Sequence, residues 1–307
     1  MTALSVTAKA DWSVGKSGGM FWANAFLYAG LVIAVVFFVI FFLSPLIYML
    51  LESFKPPLMT ARGSTAFTLE NYLNFVIDPL YQTILVRTLR VSAISSLVML
   101  ICGYPVAYLL RTVSPRMRGR LLLLVISPLL VSVVVRTYGW VIILGKEGLL
   151  NSALLAVGVN GEFAKSTHLF NETAVILGVA HVFIPFMILA IYNSLQKFNL
   201  SLLRAASNLG APPYRVFIEV TLPLSLPGIV AGLATVFPLA MGSFITVAVL
   251  GGPAVWVISM SAYQEAMALL NWQFAGAIGI SLLVAVTLLV GLFALLMSRF
   301  VHEQARS

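Results

Sequence analysis

The side chains that perform chemistry are few in this chain and wrongly spaced for it. Its three histidines, His168, His181 and His302, show no metal-ligand spacing, and serine, histidine and aspartate never gather as a nucleophilic site would require. The single cysteine, Cys102, leaves neither a disulfide framework nor a cysteine metal site. Ala10 to Ser17 reads Ala-Asp-Trp-Ser-Val-Gly-Lys-Ser, one glycine short of a phosphate-binding loop. Such a loop needs a preceding strand and a following helix to aim its amides at phosphate. This one sits in a polar tail before a long apolar run, and is read as chance. The glycosylation-like triplet Asn171-Glu172-Thr173 directly abuts another apolar run and is read the same way. The chain is therefore expected to hold no catalytic residue, no metal and no cofactor of its own.

Two ionisable groups stand out because they fall in or beside apolar runs, where a charge is costly and marks a functional site by default. Arg136 lies about fifteen residues beyond Arg120, or ~22 Å along a helix, with Tyr138 and Trp140 close behind. Either it snorkels to an interface, or Arg136, Tyr138 and Trp140 border a solute path or its gate. Glu265 interrupts the long run from Val220 to Ser298. It belongs either to a solvated interfacial loop or to a path that attracts an ammonium group. Phe244, in the same run, joins these path candidates.

The elements that position these residues follow from composition. Of 307 residues, 61% are hydrophobic and 9% charged, with a mean hydropathy of +1.03; a soluble domain carries about a quarter charged residues. A soluble globular enzyme is excluded. Uncharged runs extend from Ser17 to Leu51, Val91 to Leu110, Leu121 to Val135, Thr173 to Gln196, Val220 to Gln264 and Ala266 to Ser298. Runs of this length read as membrane spans, and six is the natural count. The expected architecture is an all-α integral membrane protein: a tail over residues 1–24, a six-helix domain over 25–298, and a tail over 299–307. The first helix is expected at about Phe26 to Leu50, uncleaved. A second ends at Arg111, and a third runs outward from about Arg120 to about Leu144. The fourth covers Val175 to Leu195, the fifth leaves from about Pro223, and the sixth ends at Met297. Glu52 to Arg90 reads as loop, with a capped helical turn near Phe67 to Tyr72. Pro105, Pro128, Pro185 and Pro238 invite kinks, and Gly228 with Gly232 forms a small-residue pair suited to close helix approach.

The formal charge of +8 divides unevenly. With both termini on one side, that side holds eleven basic and three acidic residues, and the other holds seven of each. An excess of Lys and Arg marks the cytoplasmic face, so both termini are expected there. The charge is thereby accounted for by topology, and nucleic-acid binding is excluded.

One inner loop, residues 196–222, has an organised pattern. Asn199 or Ser201 can cap a short helix whose apolar positions Leu202, Ala205, Ala206 and Leu209 follow helical spacing. Gly210 suits its carboxyl-terminal stop, and Pro212-Pro213 suits the start of a second helix. The expected product is a rigid, bent pair of short helices. A helix lying on lipid would want several basic residues and bulky aromatics, and the first helix offers only Arg204.

Ala205-Ala206, Gly210, Phe217 and Leu222-Pro223 resemble the EAA loop of permease subunits in bacterial binding-protein-dependent ABC importers. Phe67-Thr68-Leu69-Glu70-Asn71-Tyr72, Gly103-Tyr104-Pro105-Val106-Ala107-Tyr108, Arg136-Thr137-Tyr138-Gly139-Trp140, Leu250-Gly251-Gly252-Pro253 and Asn271-Trp272-Gln273-Phe274-Ala275-Gly276 resemble the spermidine/putrescine branch, which also includes importers for opines and other small amino compounds. The resemblance implies a type I permease fold in the bacterial inner membrane, with Leu203, Arg204, Ala205, Ala206, Leu209, Gly210, Phe217 and Pro223 coupling it to an ATPase. It implies as partners a second permease, homologous or identical, an ATPase dimer that holds ATP and magnesium, and an extracytoplasmic binding protein. Arg204 departs from the family, which has Glu there, so the charge offered to the ATPase is reversed. The competing readings are a stand-alone secondary transporter, disfavoured because no acid sits in mid-span, and a membrane-embedded enzyme, for which no constellation exists.

Overall fold

The computed structural model describes residues 16–56, 67–159, 166–197 and 206–304. It divides into two compact units, Met1–Glu52 and Ser53–Ser307. The first is one apolar helical rod: α1 (Lys16–Phe38), a π-helical segment (Val39–Leu43) and α2 (Ser44–Ser53), whose last residue begins the second unit. Its helix begins at Lys16, inside the expected tail, and runs through Gly18-Gly19. The side chains from Phe26 to Leu43 are all exposed, as lipid-facing positions should be.

The second unit contains α3 (Glu70–Ile77), α4 (Pro79–Thr112), α5 (Pro115–Ile126), α6 (Val133–Leu144), α7 (Leu149–Ala156), α8 (Glu172–Gln196), α9 (Leu222–Met241), α10 (Ile245–Gly251), α11 (Ile258–Met267) and α12 (Trp272–Gln304). No strand occurs among the described residues. Six helical stretches are long and apolar enough to cross a membrane: Phe26–Ser53, Pro79–Thr112, Val133–Ala156, Glu172–Gln196, Pro213–Met241 and Trp272–Leu295.

Helix α8 is the central post. Gly103 of α4 lies against Met187 and Ile188, so α4 and α8 run parallel, with Arg87 near Glu172 at one end. Helix α9 returns antiparallel: Gly228 faces Ala190, Ile191 and Ser194, and Gly232 faces Met187. The small-residue pair is thus a helix–helix contact. Met99, Met187, Ile191, Leu195 and Val236 are fully buried between these three helices. At the amino end of α4, a second cluster joins α8 to α10 through Val175, Val179, Val247 and Leu250. A third joins α3, α4, α11 and α12 through Phe75, Ile84, Ile258, Phe274 and Ile278.

The structure corrects three expectations about helix bounds and divides one long apolar run. The third helix is not continuous. After α5 the chain passes through a short 3-10 turn (Ser127–Leu130) and two extended residues, and Ser132 then caps α6 by accepting from the Val134 amide at 3.3 Å. Pro128 removes an amide donor, and the β-branched residues at 131 and 133–135 disfavour helix on the far side of the break. The second helix begins at Pro79 rather than near Val91, capped by Asp78, whose Oδ1 accepts from Leu80 N at 2.8 Å. Arg87 and Arg90 had argued for loop, but both pair with Glu172. The fifth helix ends at Met241, and α10 and α11 occupy the rest of that apolar run. Finally, α12 continues to Gln304, into the expected tail.

The two π-helical segments share a cause. Ser44 N donates to Val39 O and Leu222 N to Phe217 O, five residues back, and each donor is followed by proline (Pro45 and Pro223). A proline ring clashes with the carbonyl four residues earlier, and the wider π turn relieves this.

Candidate functional site

At the carboxyl end of α4 the chain builds an elbow. Residues 206–208 are helical and stop at Gly210, whose φ of +81° is the left-handed conformation that glycine adopts without Cβ strain. Gly210 N donates to Ser207 O at 3.0 Å and Ala211 N to Ala206 O at 3.2 Å, the paired bonds of a Schellman stop. Pro213 then opens a helical turn with Pro212 as its cap, and Arg215 and Val216 both donate to Pro212 O. The expected bent connector is present on the described side; Leu203, Arg204 and Ala205 lie outside the described residues.

The elbow has two faces. Leu209 is 88% exposed, and Tyr214 and Ile218 are also exposed, an apolar set left uncovered by the described residues. On the other face, Phe217 presents its ring edge-on to Tyr104 and Tyr108 of α4, with centroids 5.6 and 6.0 Å away. Tyr104 OH lies 2.9 Å from Ser225 Oγ, which itself donates to Leu222 O, so the phenol is the donor. Phe217 is therefore the elbow's anchor in the bundle. Pro223 opens α9 directly behind it. Tyr104 and Tyr108, which hold this anchor, carried no separate signal in the sequence beyond their motif.

The path candidates fall into three separate groups. Arg136 and Trp140, one turn apart on α6, both face α8: Arg136 Nη1 donates to Val182 O at 3.4 Å, and Trp140 Nε1 to His181 Nδ1 at 3.2 Å. Val182 is ten residues into α8, about 15 Å along the helix. Arg136 is thus held in the bundle rather than drawn to the helix end, and its buried Nε has no partner. Tyr138 points elsewhere and is exposed. Phe244 packs against Tyr263, the rings tilted by 32° with centroids 4.5 Å apart.

Glu265 is the third group, and the structure overturns the solvated-loop reading. It lies on α11 and is 9% exposed. Its Oε1 accepts from Tyr81 OH at 2.9 Å and its Oε2 from Asn271 Nδ2 at 3.2 Å. Asn271 also caps α12, its Oδ1 accepting from Phe274 N at 3.4 Å. Sequence reading missed these partners, although Asn271 itself opens one of the segments whose resemblance was noticed. Neither Asp78 nor Glu172 joins Glu265 by direct contact: Asp78 caps α4, and Glu172 pairs with Arg87 and Arg90. From Tyr81 to Tyr108 runs 27 residues of one helix, about 40 Å at 1.5 Å per residue. The Glu265 site and the elbow therefore stand at opposite ends of a bundle thicker than the ~30 Å hydrocarbon core of a bilayer.

Long apolar helices, a discontinuous third segment and a projecting elbow define a polytopic transport subunit. Residues 99–303 match the family described as binding-protein-dependent transport system inner membrane component, and this chain belongs to that family. It is a permease subunit of an ABC importer and a multi-pass inner-membrane protein; a stand-alone carrier is not favoured. The chain is similar to the spermidine/putrescine transport system permease protein PotB of Haemophilus influenzae, 36% identical over 264 residues, covering 84% of this chain and 90% of that protein. PotB of Escherichia coli is 35% identical over 224 residues, covering 73% and 80%. The fold matches a chain in the crystal structure of a bacterial alginate ABC transporter in complex with alginate pentasaccharide-bound periplasmic protein. The TM-score is 0.72 at 21% identity, with 93% of this chain and 98% of that chain covered.

Proposed function

We propose that this chain is one of two permease subunits, identical or homologous, of an ATP-driven importer for a small organic amine of the polyamine class. The similarity to two spermidine/putrescine permeases over most of the chain supports the solute class. The elbow end carries Arg111, Arg116, Arg118, Arg120, Lys197 and Arg215 against Glu219 among the described residues. That excess argues for a cytoplasmic elbow and cytoplasmic termini. An extracytoplasmic binding protein then delivers solute at the opposite end, and an ATPase dimer, holding ATP and magnesium, grips the elbow.

The observation that carries the coupling role is the division of the elbow into an exposed apolar face and an anchored aromatic one. Burying Leu209, Tyr214 and Ile218 in an ATPase groove removes their apolar surface from water. The Gly210 stop and Pro212-Pro213 start make the joint stiff, and Phe217 passes displacement to α4 and α9. Leu203, Arg204, Ala205 and Ala206 are assigned to the ATPase-facing helix, and Arg136, Trp140 and Phe244 to the solute path. The test is co-purification and uptake in the reconstituted assembly. Leu209→Asp should abolish ATPase capture while the permease still inserts; normal capture and uptake in that variant would refute the assignment.

A further inference from the structure

A pocket of about 420 Å³ opens at the amino end of α4, lined among others by Asn71, Asp78, Tyr81, Glu265, Asn271 and Phe274. Its size is within the ~300–1,000 Å³ usual for small-ligand sites. Its walls come from four helices, α3, α4, α11 and α12, so it is held by the third core cluster rather than by a loop.

Two observations mark it as incomplete in the chain alone. The Glu265 carboxylate is buried, yet it is held by the neutral donors Tyr81 OH and Asn271 Nδ2, and no basic side chain pairs with it among the described residues. A carboxylate has about four acceptor positions, and two are used here. A buried charge lacking a counter-charge is costly, and a cation entering the pocket would remove that cost. Independently, Asn71 is fully buried and its Oδ1 has no hydrogen-bond partner. Its amide cannot turn to repair this, because Nδ2 already donates to Ser53 O at 2.9 Å and Lys55 O at 2.7 Å. The carboxylate asks for positive charge, and the amide oxygen for a hydrogen-bond donor of any charge. Beside them, Tyr81 and Phe274 meet edge to face with centroids 5.1 Å apart. Such rings attract ammonium groups and give methylenes an apolar wall.

We propose that this pocket is a subsite for one ammonium end of a small aliphatic diamine. Glu265 supplies the counter-charge and Asp78 a second negative charge at the exposed rim. The proposal deepens the amine-import reading and rests on it only for the direction of movement, since binding at this end needs no ATPase.

The test is equilibrium binding of radiolabelled 1,4-diaminobutane to the full chain in neutral-lipid nanodiscs, with 1,4-butanediol as the uncharged competitor. Saturable binding is expected, displaced by unlabelled diamine and not by the diol. Glu265→Gln keeps the acceptor for Tyr81 but removes the charge, and should weaken binding roughly tenfold or more, the usual worth of a hydrogen bond to a charged group. Asp78→Asn keeps the helix cap and should weaken it about threefold, as an exposed charge does. Unchanged affinity in Glu265→Gln, or displacement by the diol, overturns the proposal. Should Glu265→Gln fail to fold, unchanged affinity in Asp78→Asn overturns it instead. ATP-driven diamine uptake by the wild-type assembly tests the transport reading separately. Its absence, with Glu265-dependent binding intact, fails that reading and upholds the site; uptake with binding indifferent to Glu265 overturns the site alone.

Discussion

Replacing Phe217 with alanine should uncouple ATP hydrolysis from transport without detaching the ATPase. The ring makes two edge-to-face contacts, with Tyr104 at 5.6 Å and Tyr108 at 6.0 Å. Each such pair is worth about 0.5–1.5 kcal/mol beyond simple burial, so about 2 kcal/mol of the joint between elbow and α4 is lost. At 1.4 kcal/mol per factor of ten, the locked joint becomes roughly thirtyfold less favoured. Solute imported per ATP should fall by about tenfold or more in proteoliposomes containing the complete assembly. ATPase capture and basal hydrolysis should persist, because Leu209 and Tyr214, on the exposed face, are untouched. The Tyr214→Ala variant is the counterpart: it should weaken capture and leave the ratio of solute to ATP unchanged in whatever complex remains. Normal coupling in Phe217→Ala would refute the claim that this ring transmits the movement.

Other outcomes follow from the same geometry. At Gly210 nothing lies within 4 Å of an added Cβ, so only its φ of +81° resists substitution. Gly210→Asn should then support near-normal uptake, while Gly210→Val should insert normally but lose coupled uptake, at a backbone cost of about 1–3 kcal/mol. A methyl group at Gly228 would meet Ser194 and the α8 backbone, 3.1 Å from Ala190 O and Ile191 Cα, whereas at Gly232 its nearest neighbour is the mobile Met187 sulfur. Gly228→Ala should therefore cost about 2 kcal/mol in melting experiments in detergent and Gly232→Ala under about 1 kcal/mol; equal losses would contradict the packing. Tyr104→Phe removes a buried hydrogen bond to Ser225 but leaves that hydroxyl donating to Leu222, so a loss of about 1 kcal/mol is expected by the same assay.

Six spans, the Gly210 stop, the Pro212-Pro213 start and the Gly228–Gly232 contact were all legible because each rests on a local rule. Length of apolar run, backbone freedom at one residue and spacing along one helix need no knowledge of the rest of the chain. The break near Pro128 was not legible as a break, because Pro105 in α4 and Pro185 in α8 lie inside continuous helices. What differs is Ser132, whose side chain offers the next helix a fresh start. The α4 boundary was misplaced for a related reason: Arg87 and Arg90 look like loop residues until Glu172, more than eighty positions away, is seen to neutralise them.

The same distinction explains why the two candidate sites differ in how they could be found. The elbow is made from one continuous stretch, and only its anchor points, Tyr104 and Tyr108, come from elsewhere. The Glu265 pocket is assembled from residues two hundred positions apart, Asn71 and Asn271, so its acid looked solitary and loop-like in one dimension. Helix α4 belongs to both. It presents Tyr81 to the pocket and Tyr104 and Tyr108 to the elbow, with about 40 Å of helix between them. A displacement of the elbow therefore meets, through Phe217, the same rod that forms one wall of the pocket, and Pro105 lies between the two tyrosines that receive it. A proline removes one rung of the hydrogen-bond ladder and makes that turn the easiest place for the helix to bend. The missing rung would have joined Pro105 to Ile101, so Tyr104 sits within this weak turn and Tyr108 on its elbow side, and the ring of Phe217 touches both.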